Sequence, residues 1–164
     1  MFKSSWCLFL LCLVSVSSFA NIQPRASSLN GLGASPTIDN VVDRAHTLLG
    51  TPYKLGGASV GQGFDCSGLL VYLFKTEANI QLPRTTTAMH RSTAATVRRD
   101  ALKPGDAVFF KGNGRGQISH VGLYIGEGKF IHSPRTGKNI RIDSLANSYW
   151  KKNYTTAKRF HVVR

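Results

Sequence analysis

The hydrophobic pattern of this chain changes from helical spacing in its first half to strand-like segments in its second half. Apolar residues across 38–49 share one helical face, Thr37 is a suitable N-cap, and Gly50 and Pro52 end the pattern. From residue 104 onward, short apolar segments are separated by turn residues. Helices followed by strands predict an α+β domain in which amino-terminal helices pack on a carboxy-terminal antiparallel sheet.

The remaining elements follow from local patterns. A second helix is predicted from Asp65-Cys66-Ser67-Gly68 through the apolar run LLVYLFKTEA, with Asp65 as its N-cap. Residues 85–97 predict a weaker helix, and Pro104-Gly105-Asp106 predicts a turn. Strands are expected at residues 107–110, 120–126, 129–133, 139–143 and 159–163.

The first 36 residues have a different composition from the rest. Lys3 precedes an apolar run over residues 6–16, and Ser18-Phe19-Ala20 places small residues where a signal peptidase reads them. The run is short for a permanent membrane span, although an uncleaved anchor is the alternative interpretation. We therefore divide the chain into a signal peptide over residues 1–20, a flexible tether over residues 21–36 and one domain over residues 37–164.

This segment and the charge set expectations for location and partners. Neither Cys7 nor Cys12 follows a small residue, so no lipoprotein signal is expected and the protein should be periplasmic or secreted as a monomer. Twenty-one basic residues face eight acidic ones, a formal charge of +13 that favours polyanions. An export signal argues against nucleic acid and leaves peptidoglycan and other anionic envelope polymers. The alternative is that the charge only keeps the protein soluble.

Cys66 is the candidate nucleophile. It is the only one of three cysteines that remains after the signal is removed, so it has no internal disulfide partner. Its place in the first turn of a helix, near free amides and the positive dipole end, predicts a lowered thiol pKa and a site for an oxyanion. Gly68 indicates that another group approaches the backbone here. The alternative is a small buried hydrophobic residue.

A nucleophilic cysteine needs a histidine to accept its proton, and His120 and His132 are the candidates. They lie on predicted strands joined by Gly126-Glu127-Gly128. A three-residue turn places Gly122 opposite His132 and makes His120 a diagonal neighbour on the same face, whereas a two-residue turn separates the histidines. The other histidines are expected elsewhere: His46 as structural or surface, His90 exposed, and His161 on a strand without a catalytic role.

No metal or other cofactor is expected. No histidine pair has the HExxH spacing, and the mature chain offers no second cysteine to complete a zinc site.

Six segments carry a family resemblance in the expected order. They are GTPYKLGG (residues 50–57), FDCSGLL (64–70), LPRTT (82–86), LKPGDAVFF (102–110), ISHVGLYIGEGKFIHSP (118–134) and SYWKKNY (148–154). Over about residues 38–164 the chain resembles the NlpC-type family of papain-like cell-wall cysteine peptidases. The resemblance implies a papain-like fold with the nucleophile at a helix amino terminus.

The resemblance also implies roles for particular residues. Cys66 matches the nucleophile, His120 the general base and His132 the polar residue that orients the base. Three further positions match residues that line the substrate or oxyanion site: Tyr53, Asp65 and Ser67. Arg84 has two interpretations, a structural ion pair or a partner for a substrate carboxylate.

The expected function is therefore a peptidoglycan endopeptidase that hydrolyses stem-peptide or cross-link amide bonds near diaminopimelate. The cut falls either between diaminopimelate and D-alanine or between D-glutamate and diaminopimelate, and the sequence leaves this open. Two alternatives stay open as well. One is a catalytically idle basic module that binds the cell wall, and the other is an acyltransferase on the same scaffold.

Overall fold

The computed structural model describes residues 37–112 and 116–161. The expected signal peptide and tether, residues 1–36, lie outside the described residues. Within the described part of the chain, no helix is long and apolar enough to cross a membrane.

The first half supplies three helices and a small hairpin. Helix α1 spans Ile38–Thr47 and is capped by Thr37, whose hydroxyl accepts from the Asn40 amide. Strands β1 (Ala58–Ser59) and β2 (Gly63–Phe64) form the hairpin, and α2 (Cys66–Ala78) follows directly. Helix α2 ends at Asn79, which adopts the left-handed conformation common at helix ends.

The predicted helix over residues 85–97 is correct only in its first half. Helix α3 spans Thr86–Arg91 and ends at Ser92, whose amide and hydroxyl both donate to the carbonyl of Met89. Residues Ala95–Val97 form strand β3 instead, because they pair with the last strand of the sheet. Pairing with a distant segment therefore overrides the local helical preference.

The second half forms most of a six-stranded antiparallel sheet. The strand order is β3-β8-β4-β5-β6-β7. Its remaining members are β4 (Ala107–Lys111), β5 (Ile118–Gly126), β6 (Lys129–His132), β7 (Arg141–Ser144) and β8 (Tyr154–Arg159), with helix α4 (Ser148–Asn153) before β8.

The carboxy-terminal strand was predicted too late in the chain. The expected strand over residues 159–163 lies at Tyr154–Arg159, because Tyr154, Thr156, Ala157 and Lys158 pair with β4. His161 consequently follows the strand and is not part of it. Helix α4 was not predicted, since its six residues are too few to show a helical period.

Side chains of alternate residues cover the two faces of the sheet. Phe109, Val121 and Ile131 pack with α1 and α2 in the larger core. Phe110 and Phe130, on the opposite face, pack with Trp150 of α4 in a second cluster. The domain is thus α+β, as predicted, with the amino terminus of α2 placed against β5.

Gly68 is a close-packing position, as the sequence predicted, and the approaching group is the backbone carbonyl of Gly57. A Cβ at residue 68 would overlap that oxygen. The same carbonyl accepts from the Asp65 amide at 3.0 Å, so it cannot move without disturbing the start of α2.

We therefore expect Gly68→Ala to lower the free energy of unfolding by about 1–3 kcal/mol, although alanine is ordinarily the better helix former. Thermal unfolding monitored by circular dichroism measures this. Gly61→Ala is the matched control, because a Cβ there meets no atom within 4 Å. Equal melting temperatures for the two variants would contradict the packing argument.

Candidate active site

The amino terminus of α2 is held by one carboxylate. Asp65 accepts from the amides of Gly68 at 2.6 Å and Gly56 at 3.0 Å, and from the hydroxyl of Ser67 at 3.2 Å. Arg84 binds both carboxylate oxygens, at 3.0 and 2.8 Å. Burial alone would raise the pKa of Asp65, but these donors together lower it below its ordinary value. Asp65 is therefore ionised, and Arg84 forms the expected structural ion pair.

The start of α2 leaves two amides available beside Cys66. Asp65 satisfies the amide of Gly68 through its side chain and that of Leu69 through its carbonyl. Within residues 37–112 and 116–161, the amide of Cys66 has no hydrogen-bond acceptor, and the amide of Ser67 faces only the Cys66 sulfur. Two adjacent donors at a helix amino terminus form a site for a developing negative charge.

The thiol of Cys66 lies between α3 and β5. Its Sγ is 3.5 Å from the Thr86 hydroxyl and 4.0 Å from the carbonyl of Ser119. Cys66 is therefore placed beside the β5 backbone next to His120. No hydrogen bond joins Sγ to the His120 ring among the described residues.

The predicted lowering of the Cys66 pKa is wrong for this structure. Burial raises the pKa of the thiol, and this outweighs the hydrogen bonds from Thr86 and the backbone amides of Val121 and Ser67. The ionised Asp65 nearby also raises it. The positive end of a helix is insufficient here because Arg84, whose charge interacts with Cys66, is already paired with Asp65.

The two histidines lie on the same face of the sheet, which is one of the two arrangements that the sequence left open. Leu123 pairs with Ile131 and Tyr124 with Phe130, a register that places Gly122 opposite His132. The turn itself has two residues, because Gly126 pairs with Lys129. A register shift between Tyr124 and Gly126 adds one residue to β5 and restores the predicted parity.

Three side chains form a hydrogen-bonded row along this face. His120 Nε2 lies 2.8 Å from His132 Nδ1, and His132 Nε2 lies 2.9 Å from Asp143 Oδ2. Arg141 and the indole of Trp150 also donate to Asp143 Oδ2. His132 is fully buried, whereas His120 is partly exposed.

Burial sets the charge of each histidine in this row. It lowers the pKa of His120 to about 3, with a further contribution from His132, and it also lowers the pKa of His132 despite the opposing effect of Asp143. Hydrogen bonds from His132 and Arg141 overcome burial at Asp143 and hold its pKa far below the ordinary value. Two neutral imidazoles therefore stand beside one carboxylate.

These charges determine the direction of each hydrogen bond. An ionised carboxylate only accepts, so His132 donates from Nε2 to Asp143. A neutral His132 then accepts at Nδ1, and His120 donates from Nε2. His120 Nδ1 is consequently left without a proton, and the row presents it as a base.

Trp150 packs its ring against both histidines of the row. Its ring stacks on His120 with a centroid separation of 5.4 Å and an interplanar angle of 28°. It also makes an edge contact with His132 at 5.0 Å. Because the indole nitrogen is hydrogen-bonded to Asp143, the ring that covers both histidines is fixed in orientation.

Tyr53, predicted to line the site, is half-buried near Cys66 and Asp65. Burial, and then the ionised forms that Cys66 and Asp65 take at the high pH where a phenol titrates, raise the pKa of its hydroxyl. The phenol is therefore protonated and able to donate. Ser67 and Asp65 are both buried, and both accept hydrogen bonds from Arg84. These contacts hold the first turn of α2, which carries Cys66, in place.

Sequence reasoning missed Asp143, Trp150 and Thr86. Asp143 is two residues from Arg141, the strand partner of His132, so strand alternation would have indicated it once the β6–β7 register was known. Trp150 lies on the helix that was not predicted. Thr86 was covered by the LPRTT segment, but no local pattern connects it to Cys66.

The other histidines lie away from the row. His46 is on the surface, as expected. His90 is not fully exposed, because its ring packs against Phe109 with centroids 5.7 Å apart. His161 is partly buried after β8, and burial lowers its pKa. Among the described residues, no group of three or more His, Cys, Asp or Glu side chains is arranged to hold a metal ion.

Comparison with known proteins identifies the family of this fold and site. The NlpC/P60 family profile matches residues 50–159, which is more than half of the chain. The chain therefore belongs to the NlpC/P60 family.

Individual relatives agree with this assignment. The murein DD-endopeptidase MepH of Escherichia coli is 51% identical over 112 residues, covering 68% of this chain and 41% of MepH. The probable endopeptidase NlpC of the same organism is 34% identical over 155 residues, covering 94% of this chain and 98% of NlpC. The chain thus spans less than half of MepH and nearly all of NlpC.

A solved structure shows the same fold. An NlpC/P60 family protein from Bacillus cereus superposes with a TM-score of 0.71 at 34% identity, over 77% of this chain and 41% of the other. The papain-like arrangement predicted from the sequence is therefore confirmed.

The histidine row predicts how stability depends on pH. A histidine whose pKa is lowered on folding binds protons more readily when unfolded, so its contribution to stability is complete above about pH 6.5 and is lost as the pH falls. Between pH 7 and pH 5 we expect the free energy of unfolding to fall, by about 2 kcal/mol for one such group.

Urea unfolding at several pH values measures this dependence. His120→Gln should reduce the loss of stability between pH 7 and pH 5, because His132 then remains as the only histidine of the row. His46→Gln, at an exposed position, is the control and should retain the wild-type dependence. A wild-type curve that is flat from pH 7 to pH 5 would contradict the buried neutral state.

Proposed function

We propose that this protein is a peptidoglycan endopeptidase that hydrolyses stem-peptide or cross-link amide bonds near diaminopimelate. The observation that carries the proposal is the position of Cys66, at the start of α2 and against the β5 backbone next to His120. His120 is the first residue of the hydrogen-bonded row that continues through His132 to Asp143. A thiol, a base and a group that orients the base are the requirements for nucleophilic amide hydrolysis.

The first half of the reaction forms a thioester. Cys66 Sγ attacks the amide carbonyl carbon while its proton passes to His120 Nδ1, which the row keeps unprotonated. The carbonyl oxygen becomes an oxyanion next to the amides of Cys66 and Ser67 and the phenol of Tyr53. His120 then gives the proton to the amine nitrogen, the carbon–nitrogen bond breaks and the amine departs.

The second half consumes water. His120 takes a proton from water, the resulting hydroxide attacks the thioester carbon, and the carbon–sulfur bond breaks. The proton returns to Cys66, and a carboxylic acid product leaves. Because the resting thiol and imidazole are both neutral in this structure, His120 acts as a general base during attack, in place of a preformed thiolate–imidazolium pair.

The substrate class is supported by the relatives. MepH is named a murein DD-endopeptidase and NlpC a probable endopeptidase. The formal charge of +13 suits a substrate with carboxylates and also suits other anionic envelope polymers. The expected signal peptide over residues 1–20 and catalytic domain over residues 37–164 would place this chemistry in the periplasm or outside the cell.

Replacing the nucleophile tests the activity. Cys66→Ala removes the only atom that forms the thioester, so we expect no release of muropeptide fragments from purified peptidoglycan while the fold persists. His120→Ala should be equally inactive, and His132→Ala should slow the reaction less. Mass spectrometry of the digest identifies the bond that is cut, and circular dichroism controls for folding. Digestion of peptidoglycan by Cys66→Ala at the wild-type rate would rule out the mechanism.

Two substitutions at Asp143 test its role as a positioning residue. In Asp143→Asn the amide group can donate to His132 Nε2, which reverses both hydrogen bonds and places a proton on His120 Nδ1. Asp143→Ala removes the acceptor but imposes no tautomer. We expect kcat to fall about 100-fold or more in Asp143→Asn with little change in KM, and to fall less in Asp143→Ala.

If Asp143 had only a structural role, kcat would fall more in Asp143→Ala than in Asp143→Asn, because asparagine preserves the shape of aspartate better than alanine does. Steady-state kinetics on a soluble cross-linked muropeptide compare the two variants, and melting temperatures show whether each remains folded. An alanine variant slower than the asparagine variant would overturn the tautomer argument.

A further inference from the structure

A cavity of about 520 Å³ is lined in part by His120 and by no member of the Asp65 network. His120 and Trp150 form one part of its lining, and Lys111, Arg135, Arg141 and Asp143 form another. Neither Cys66 nor Tyr53 lines it. The cavity is therefore lined by two members of the histidine row, His120 and Asp143, and not by the nucleophile.

The segments that carry the histidines also bring the cations to this cavity. Lys111 follows Phe110, the strand partner of His120, at a register shift in β4. Arg141 is the strand partner of His132, and Arg135 lies three residues after His132. The positive groups are thus placed by the same sheet that places the base.

The charge in this cavity is unbalanced. Asp143 is its only lining carboxylate among the described residues, and it is occupied by His132, Trp150 and Arg141. Lys111 and Arg135 are exposed and have no ion pair or side-chain hydrogen bond with any described residue. By contrast, Arg84 is paired with Asp65 on the other wall of the site.

The reaction determines which part of the substrate lies next to the positive charge of Lys111 and Arg135. His120 gives its proton to the departing amine, so the atoms attached to that nitrogen must lie next to His120. The cavity begins there, and its two unpaired cations favour a carboxylate close to the amine.

We propose that Lys111 and Arg135 bind a free carboxylate on the carbon that carries the departing amine. This inference rests on the proposed endopeptidase function and specifies its substrate. In the cross-link between D-alanine and diaminopimelate, the amine carbon carries such a carboxylate. In the bond between D-glutamate and diaminopimelate of a tetrapeptide stem, the corresponding carboxyl is already bonded to D-alanine. The cavity therefore selects the cross-link, and amidation of the carboxylate protects it from cleavage.

The test compares two cross-linked muropeptide dimers, one with the free carboxylate at this carbon and one with a carboxamide in its place. We expect the mature protein to cleave the free acid with a kcat/KM about tenfold higher, mainly through a lower KM. Lys111→Gln combined with Arg135→Gln should remove this preference by slowing mainly the free acid. Cleavage of the carboxamide should slow much less than cleavage of the free acid, because the carboxamide brings no charge to this site.

The control removes the same charge elsewhere. Lys75 and Lys103 are exposed and lie outside the cavity lining, so Lys75→Gln combined with Lys103→Gln should keep the tenfold preference. Equal rates on both dimers for the wild type, or an unchanged preference in the Lys111 and Arg135 variant, would overturn the carboxylate site while leaving the endopeptidase function intact. If the wild type cleaves neither dimer and matches Cys66→Ala, the proposed function itself fails and the carboxylate site fails with it.

Discussion

The buried carboxylate of Asp65 is the interaction on which the nucleophile side of the molecule depends. It joins the Gly56 amide before the hairpin, the start of α2 and Arg84 before α3, three segments that are far apart in sequence. A buried carboxylate is costly unless its oxygens are satisfied, and here the donors outweigh burial. Removing the Arg84 guanidinium, which binds both carboxylate oxygens, would leave a buried negative charge without its cation beside Cys66. The position of the thiol is therefore determined by polar contacts as much as by packing.

A second carboxylate, Asp143, organises the histidine side in the same manner. It receives hydrogen bonds from His132, Arg141 and Trp150, and through His132 it determines which nitrogen of His120 carries a proton. The extra residue in β5 between Tyr124 and Gly126 makes this possible, since without it His120 and His132 would face opposite sides of the sheet. One irregularity in strand pairing thus supports the whole row.

Features that depend on local sequence could be predicted, and features that depend on strand register could not. Asp65 as a helix cap and Cys66 in the first turn follow from neighbouring residues, whereas the shared face of His120 and His132 depends on the register shift in β5. Asp143 requires the register of a third strand, β3 forms through its pairing with β8, and β8 is positioned by its pairing with β4. The Cys66 pKa depends on which distant groups bury the thiol, and that information is absent from a helix pattern.

The two walls of the site differ in electrostatics, and the difference explains why a neutral resting pair suits this reaction. On the nucleophile wall the guanidinium of Arg84 is neutralised by Asp65, and the hydrogen bonds to the Cys66 thiol do not overcome its burial, so the neutral thiol is favoured before substrate binds. The available amides of Cys66 and Ser67 instead face the position where charge develops during attack. On the opposite wall, Lys111 and Arg135 have no ion-pair partner within residues 37–112 and 116–161 and remain for a charge that the substrate brings. A preformed thiolate–imidazolium pair would already engage the groups that stabilise charge in this site. With a neutral resting pair, the backbone amides stay available for the oxyanion and the two cations stay available for the substrate.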